Sequence, residues 1–121
     1  MEDSVLLSIR HACQVGDDNS EFDDRLKRHA NYVFMTLAQK GVGPDGGFRI
    51  TDESQTWEEF SEDPQIRDAA SEYVGTSVRL RFDPPASSVL LGELKEQVKE
   101  NEWFLTYYAG PYYKEETDVK E

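Results

Sequence analysis

With 121 residues the chain is long enough for one domain with a modest core, and its hydrophobic fraction of 37% is low for a globular protein. The formal net charge of −12 repels phosphate, which argues against groove-reading DNA or RNA binding but leaves open a conduit that DNA slides through or an acidic imitation of DNA. Cys13 is the single cysteine, so no intrachain disulfide and no Cys-rich zinc site can form within one chain. No basic segment precedes a long apolar run at the N-terminus, and no stretch of about 18 apolar residues occurs, so a soluble, non-secreted product without membrane contact is expected.

In chain order, Val5, Leu6, Ile9, Ala12 and Cys13 recur at spacings of three and four, predicting a short amphipathic helix capped by Asp3 or Ser4 and ended by Gly16. Ser20 with Asp23 three residues on resembles a capping box opening a second helix. Phe22, Leu26, Ala30, Val33 and Leu37 form its inner stripe, and Gly41 its stop. The acid-before-base pairs Asp23 with Lys27 and Asp24 with Arg28 support the helix from outside.

Residues 41 to 63 predict a long irregular loop, rich in Gly and Pro yet carrying Phe48, Ile50, Trp57 and Phe60. That much apolar area is not left in water, so these four residues either pin the loop to the bundle or also meet another subunit. Thr56 and Glu59 read as a capping box opening a single turn over Trp57 to Ser61. Asp63-Pro64 starts a third bundle helix, with Ile66, Ala70, Tyr73, Ser77 and Leu80 on one face, broadened by Ala69, Val74, Val78 and Phe82. Gly75 in mid-helix costs about 1 kcal/mol relative to Ala, which a close helix crossing would explain. Asp83-Pro84-Pro85 is a stiff corner: neither proline donates an amide hydrogen, and Ser87 or Ser88 can cap the next helix. That last helix runs from about Ser87 to Tyr107, with Leu91, Leu94, Val98 and Leu105 inward. The expectation is an all-α, small four-helix bundle over residues 1–108, followed by an extended, acidic, tyrosine-containing tail over 109–121.

Catalytic and ligand-binding patterns are absent from the sequence. Gly41 to Gly47 follows a helix and precedes none, so it is not a phosphate-cradling loop. His11 and His29 fall on different helices without a ligand at metal spacing. Paired carboxylates are frequent, as such an acidic composition dictates, and Asp17 to Glu21 lacks the central Gly and terminal Glu of a calcium loop. No cofactor, metal or enzymatic activity is expected.

Tyr32-Val33-Phe34-Met35-Thr36-Leu37-Ala38-Gln39-Lys40-Gly41-Val42-Gly43-Pro44, then Gly47-Phe48-Arg49-Ile50-Thr51 and Thr56-Trp57-Glu58-Glu59-Phe60, resemble the head-to-tail connector (adaptor, or head-completion) proteins of long-tailed bacteriophages. Val78-Arg79-Leu80-Arg81-Phe82-Asp83-Pro84-Pro85-Ala86-Ser87-Ser88-Val89-Leu90 and Glu100-Asn101-Glu102-Trp103-Phe104-Leu105 continue the likeness in the right order, over roughly residues 4 to 106. The resemblance implies a structural virion protein of the neck, assembled in the host cytoplasm. Its copies would form a ring with one another, usually of about twelve. That ring would lie under the portal protein, complete the DNA-filled head and offer a platform to the next neck or tail-completion protein.

On that reading Trp103 and Phe104, with Tyr107, Tyr108, Tyr112 and Tyr113, are candidates for portal contact, because aromatics bury much area for few rotatable bonds. Phe48, Ile50, Trp57 and Phe60 are candidates for contact between subunits. Asp52, Glu53, Glu58 and Glu62 are candidates for the wall of the channel, where negative charge keeps passing DNA from sticking without sequence-specific binding. The alternative from charge alone is an acidic DNA mimic that inhibits a host DNA-binding protein.

Overall fold

A computed structural model of the chain describes residues 4–109, and within them the architecture is all-α. The helices are α1 (Val5–Ala12), α2 (Asp23–Gln39), α3 (Trp57–Phe60), α4 (Pro64–Phe82) and α5 (Ser88–Ala109). Helix α3 is a single turn, and the other four make the bundle. Helix α4 is the central member and touches each of the others. This explains its unusually wide apolar stripe: Ala70, Tyr73, Val74, Gly75 and Val78 are buried, flanked by half-buried Ile66, Ala69 and Phe82.

Local chemistry sets most of the boundaries. Ser4 Oγ accepts the Leu7 amide at 3.3 Å and opens α1. Thr56 and Glu59 close a reciprocal capping box on α3, and Asp63 caps α4 by accepting the Gln65 amide at 2.9 Å, with Pro64 at the first helical position. Helix α4 stops at Phe82 before the double proline, and Ser87 Oγ accepts the Leu90 amide at 3.2 Å at the start of α5. At the end of α2 the Gly41 amide bonds Ala38 O at 3.0 Å and the Val42 amide bonds Leu37 O at 2.9 Å, with Gly41 at φ 82° and Val42 buried beneath.

Two boundaries differ from the expectation. Helix α1 ends not at Gly16 but at Cys13, where Gln14 takes the left-handed conformation (φ 61°) and the Val15 amide reaches back to Arg10 O at 2.8 Å. The Ser20–Asp23 box does not form: Phe22 precedes α2 with no side-chain cap. The Asp23 carboxylate is engaged by Arg10 instead, with Nε to Oδ1 at 3.0 Å and Nη2 to Oδ2 at 2.6 Å.

The segment between α2 and α3 is stitched to the bundle rather than draped over it. The Asn31 side-chain amide holds both backbone groups of Ile50, donating to its carbonyl at 3.0 Å and accepting its amide at 2.8 Å. Ser4 pairs with Thr56 in an isolated bridge, the Val5 amide bonds Gln55 O at 3.0 Å, and Ser4 Oγ donates to Glu53 O at 2.8 Å. Trp57 Nε1 donates to Ser8 Oγ at 3.1 Å. The apolar content of the segment closes this seam, with Phe34 at the hub: its ring lies 4.9 Å from Phe48, 5.6 Å from Phe60 and 5.9 Å from Trp57, centroid to centroid.

Candidate functional site

The portal-contact candidates divide by helical phase. On α5 the inner stripe is Leu94, Val98 and Leu105, with Phe104 and Tyr108 packed half-buried beside it. Phe104 and Tyr108 stack at 5.1 Å, and Tyr108 donates its hydroxyl to Asp63 Oδ2 at 3.1 Å, fixing the end of α5 against the start of α4. One residue back in phase, Trp103 is 65% exposed and Tyr107 46% exposed, and their rings stack at 5.2 Å and 3° between planes. The two stacked rings make a flat, exposed aromatic plate, the kind of surface that buries much area for few rotatable bonds. Tyr112 and Tyr113 lie outside the described residues. The opposite end of α5 carries a second exposed apolar spot, Val89 (71% exposed) with Leu90.

Ile50, Trp57 and Phe60 are buried inside the single subunit and Phe48 is half-buried against Phe34 and Phe60, so these four side chains form the seam that holds the loop down. Their neighbours on the outer surface are the acidic candidates, all exposed. Asp52 accepts the Ser54 hydroxyl at 2.6 Å and its amide at 2.8 Å, which hold the carboxyl below its ordinary range. Glu53 pairs with Arg10 at 2.9 Å. Glu58 lies on α3 and Glu62 two residues beyond it, beside no Lys or Arg in sequence.

Reading by periodicity overlooked Arg10, although Leu6, Ile9, Arg10 and Cys13 share one helical face. Its side chain is 2% exposed, takes Asp23 and Glu53 as ion partners and donates Nη1 to Asp17 O at 2.6 Å. The hydrogen bonds it donates to Asp23 keep the guanidinium above its ordinary pKa despite burial. Cys13 is buried beside this layer, and burial pushes its thiol up to about 11, the environment of a packing residue rather than a nucleophile.

A further feature arises only in three dimensions. Arg25 and Arg28 on α2 and Arg81 on α4 act together on His29, and Lys27 and Arg28 line a groove with Arg49 from the loop. Arg81 lies over the Tyr32 ring at 4.5 Å, and Arg25 over Phe82 at 4.7 Å. Half-buried His29 reports the field of this strip: burial, then Arg81, Arg25 and Arg28, depress its pKa below 6.5. Beside it an open groove of about 880 Å³ runs between α2 and residues 46–51, with Tyr32 (46% exposed) and Met35 (48% exposed) on its α2 bank.

Among the described residues, no group of three His, Cys, Asp or Glu side chains is placed to hold a metal ion, and no helix is long and apolar enough to cross a membrane. What the fold presents is a small helical bundle with exposed aromatic and charged faces. Comparison with known families gives it a place: the chain belongs to the phage connector protein family, whose model matches residues 5–111. Proteins of that family are in general structural rather than enzymatic; they act at the neck of the virion, in contact with other head and tail proteins. No curated protein and no solved structure matches the chain.

Proposed function

We infer that this connector works as an adaptor: about twelve copies form a ring beneath the portal protein, complete the DNA-filled head and carry the next neck protein. The observation that bears most of the weight is the Trp103–Tyr107 plate, exposed at the C-terminal end of α5 in a chain of the connector family. Helix α5 has 22 residues and so spans about 33 Å. With apolar exposure at both ends, it acts as a strut, the plate against the portal and Val89 with Leu90 toward the next neck protein. Phe104 and Tyr108 position the plate from beneath.

Asp52, Glu53, Glu58 and Glu62 face the bore on this reading. Twelve copies sum to a charge on the order of −140, which weakens attraction between the ring and the phosphates passing through it. The competing DNA-mimic reading fits less well, because the basic strip on α2 interrupts the negative surface such a mimic would offer. Gene position separates the two as well: a connector belongs among capsid, portal and tail genes, an inhibitor among early genes.

The test is the double variant Trp103→Ala with Tyr107→Ala. Loss of two exposed rings leaves folding stability within about 0.5 to 1 kcal/mol of the parent, whereas affinity for the portal protein of the same phage falls at least about tenfold. Undiminished portal binding by the folded variant would remove α5 from the docking role.

A further inference from the structure

The groove on α2 has two chemically distinct halves. Tyr32 and Met35 offer exposed apolar area at one end, while Arg28 and Lys27, a turn or more toward the start of α2, and Arg49 opposite them offer positive charge; Asp24 is the acid on this lining. The sequence beyond the described residues has the complementary order. Residues 110–121 begin with Gly110 and Pro111, continue with Tyr112 and Tyr113, and then carry Glu115, Glu116, Asp118 and Glu121 against Lys114 and Lys120. The spacing agrees too: Met35 to Arg28 is about 10 Å along a helix, and Tyr113 to Glu116 about 10 Å along an extended chain.

The arrangement of helices says whose tail fits. Phe22 at the start of α2 meets Phe82 at the end of α4, and Tyr108 at the end of α5 meets Asp63 at the start of α4, so α2 and α5 run in the same direction. The Lys40–Glu102 ion pair, at 3.2 Å, sets their relative level. From that level Ala109 lies about 10 Å onward and Met35 about 7 Å back, a separation of about 18 Å along the axis before any lateral offset. The backbone from Ala109 to Tyr113 covers at most about 14 Å, and it must first reverse direction at the end of α5. A chain's own tyrosines therefore meet its own Met35 only with the backbone fully extended and both side chains outstretched, a constraint that a neighbour's tail does not carry.

We propose that the groove between α2 and residues 46–51 receives residues 110–121 of the neighbouring subunit, Tyr112 and Tyr113 against Tyr32 and Met35, and Glu115 and Glu116 against Arg28 and Arg49. This rests on the ring reading and deepens it: a groove on one face and an acidic tail at another end make a head-to-tail contact, the kind that closes into a ring. The pairing of opposite charges selects the register, and the aromatic contacts supply the buried area.

The experiment adds a fluorescent peptide of residues 110–121 to the full-length chain at low protein concentration. Saturable binding is expected, weakened at least about tenfold by Arg28→Glu or Arg49→Glu and left unchanged by Lys95→Glu on the exposed side of α5. A peptide that does not bind, or that binds the Arg28→Glu and Arg49→Glu chains as well as the parent, overturns the proposal. In a second arm, chains carrying Met35→Cys are mixed with chains carrying Tyr113→Cys and oxidised in the presence of the portal protein. Disulfide-linked pairs of different chains support the neighbour's tail, and a link formed only within a chain carrying both substitutions overturns it. Portal binding, scored separately, keeps the two readings apart: a chain that joins the portal but ignores the peptide remains a connector without this contact.

Discussion

At the scale of single residues, Arg10 is the tie between α1, α2 and the loop. Its burial is tolerable because Asp23, Glu53 and the Asp17 carbonyl satisfy it; removing it leaves the Asp23 carboxylate largely buried without its partner. Arg10→Ala is expected to lower stability by about 3 kcal/mol, read from urea unfolding, and a loss below about 1 kcal/mol would show that the layer is merely decorative. His29 gives a pH signature. Its folded pKa lies below the ordinary 6.5, so the unfolded chain takes up a proton first on acidification. The stability it contributes is complete above about pH 6.5 and is lost as pH falls through that value toward the folded pKa. The urea midpoint should therefore drop between pH 8 and pH 5.5 by more in the parent than in His29→Gln; equal slopes would mean that neither its burial nor the neighbouring arginines act on it.

At the scale of elements, two glycines in helices make opposite predictions. A Cβ on Gly75 would lie 3.0 Å from Ala12 Cβ, and both atoms are fixed to helix backbones, so α1 and α4 must part to admit it. Overpacking outweighs the gain in helix propensity, and Gly75→Ala should lose about 1 kcal/mol. On α5, Gly92 meets nothing within 4 Å, so Gly92→Ala should gain about 0.5 to 1 kcal/mol. Thermal melts of both variants check the pair of signs. Where local chemistry decides, the elements were legible: the Thr56–Glu59 box, Asp63-Pro64, Gly41 and the double proline each act within a few residues. Where a distant partner competes, they were not. The cap expected of Asp23 was lost to Arg10, thirteen residues away. The early turn of α1 is a different case: it is local, a left-handed Gln14 two residues before the glycine that marks a stop in the sequence. The basic strip, like the lost cap, was hidden by distance, being assembled from α2, α4 and the loop, whereas the exposure of Trp103 follows from the inner phase of Leu94, Val98 and Leu105.

At the scale of the whole molecule, the low apolar content and the acidic surface suit a subunit that finishes its burial against neighbours. The bundle closes its own core through the seam around Phe34 and leaves the Trp103–Tyr107 plate, Val89 with Leu90, and the α2 groove exposed, the surfaces that the proposed ring would use. None of these faces requires the ring to exist before the portal does, so an isolated monomer is compatible with the account, the portal supplying the template for assembly. The most direct measurement is light scattering on a sizing column, first with the chain alone and then mixed with the portal protein of the same phage. The account predicts that the chain moves into the portal peak at about one copy per portal subunit. A chain that stays in its own peak at high concentration and low salt would contradict it.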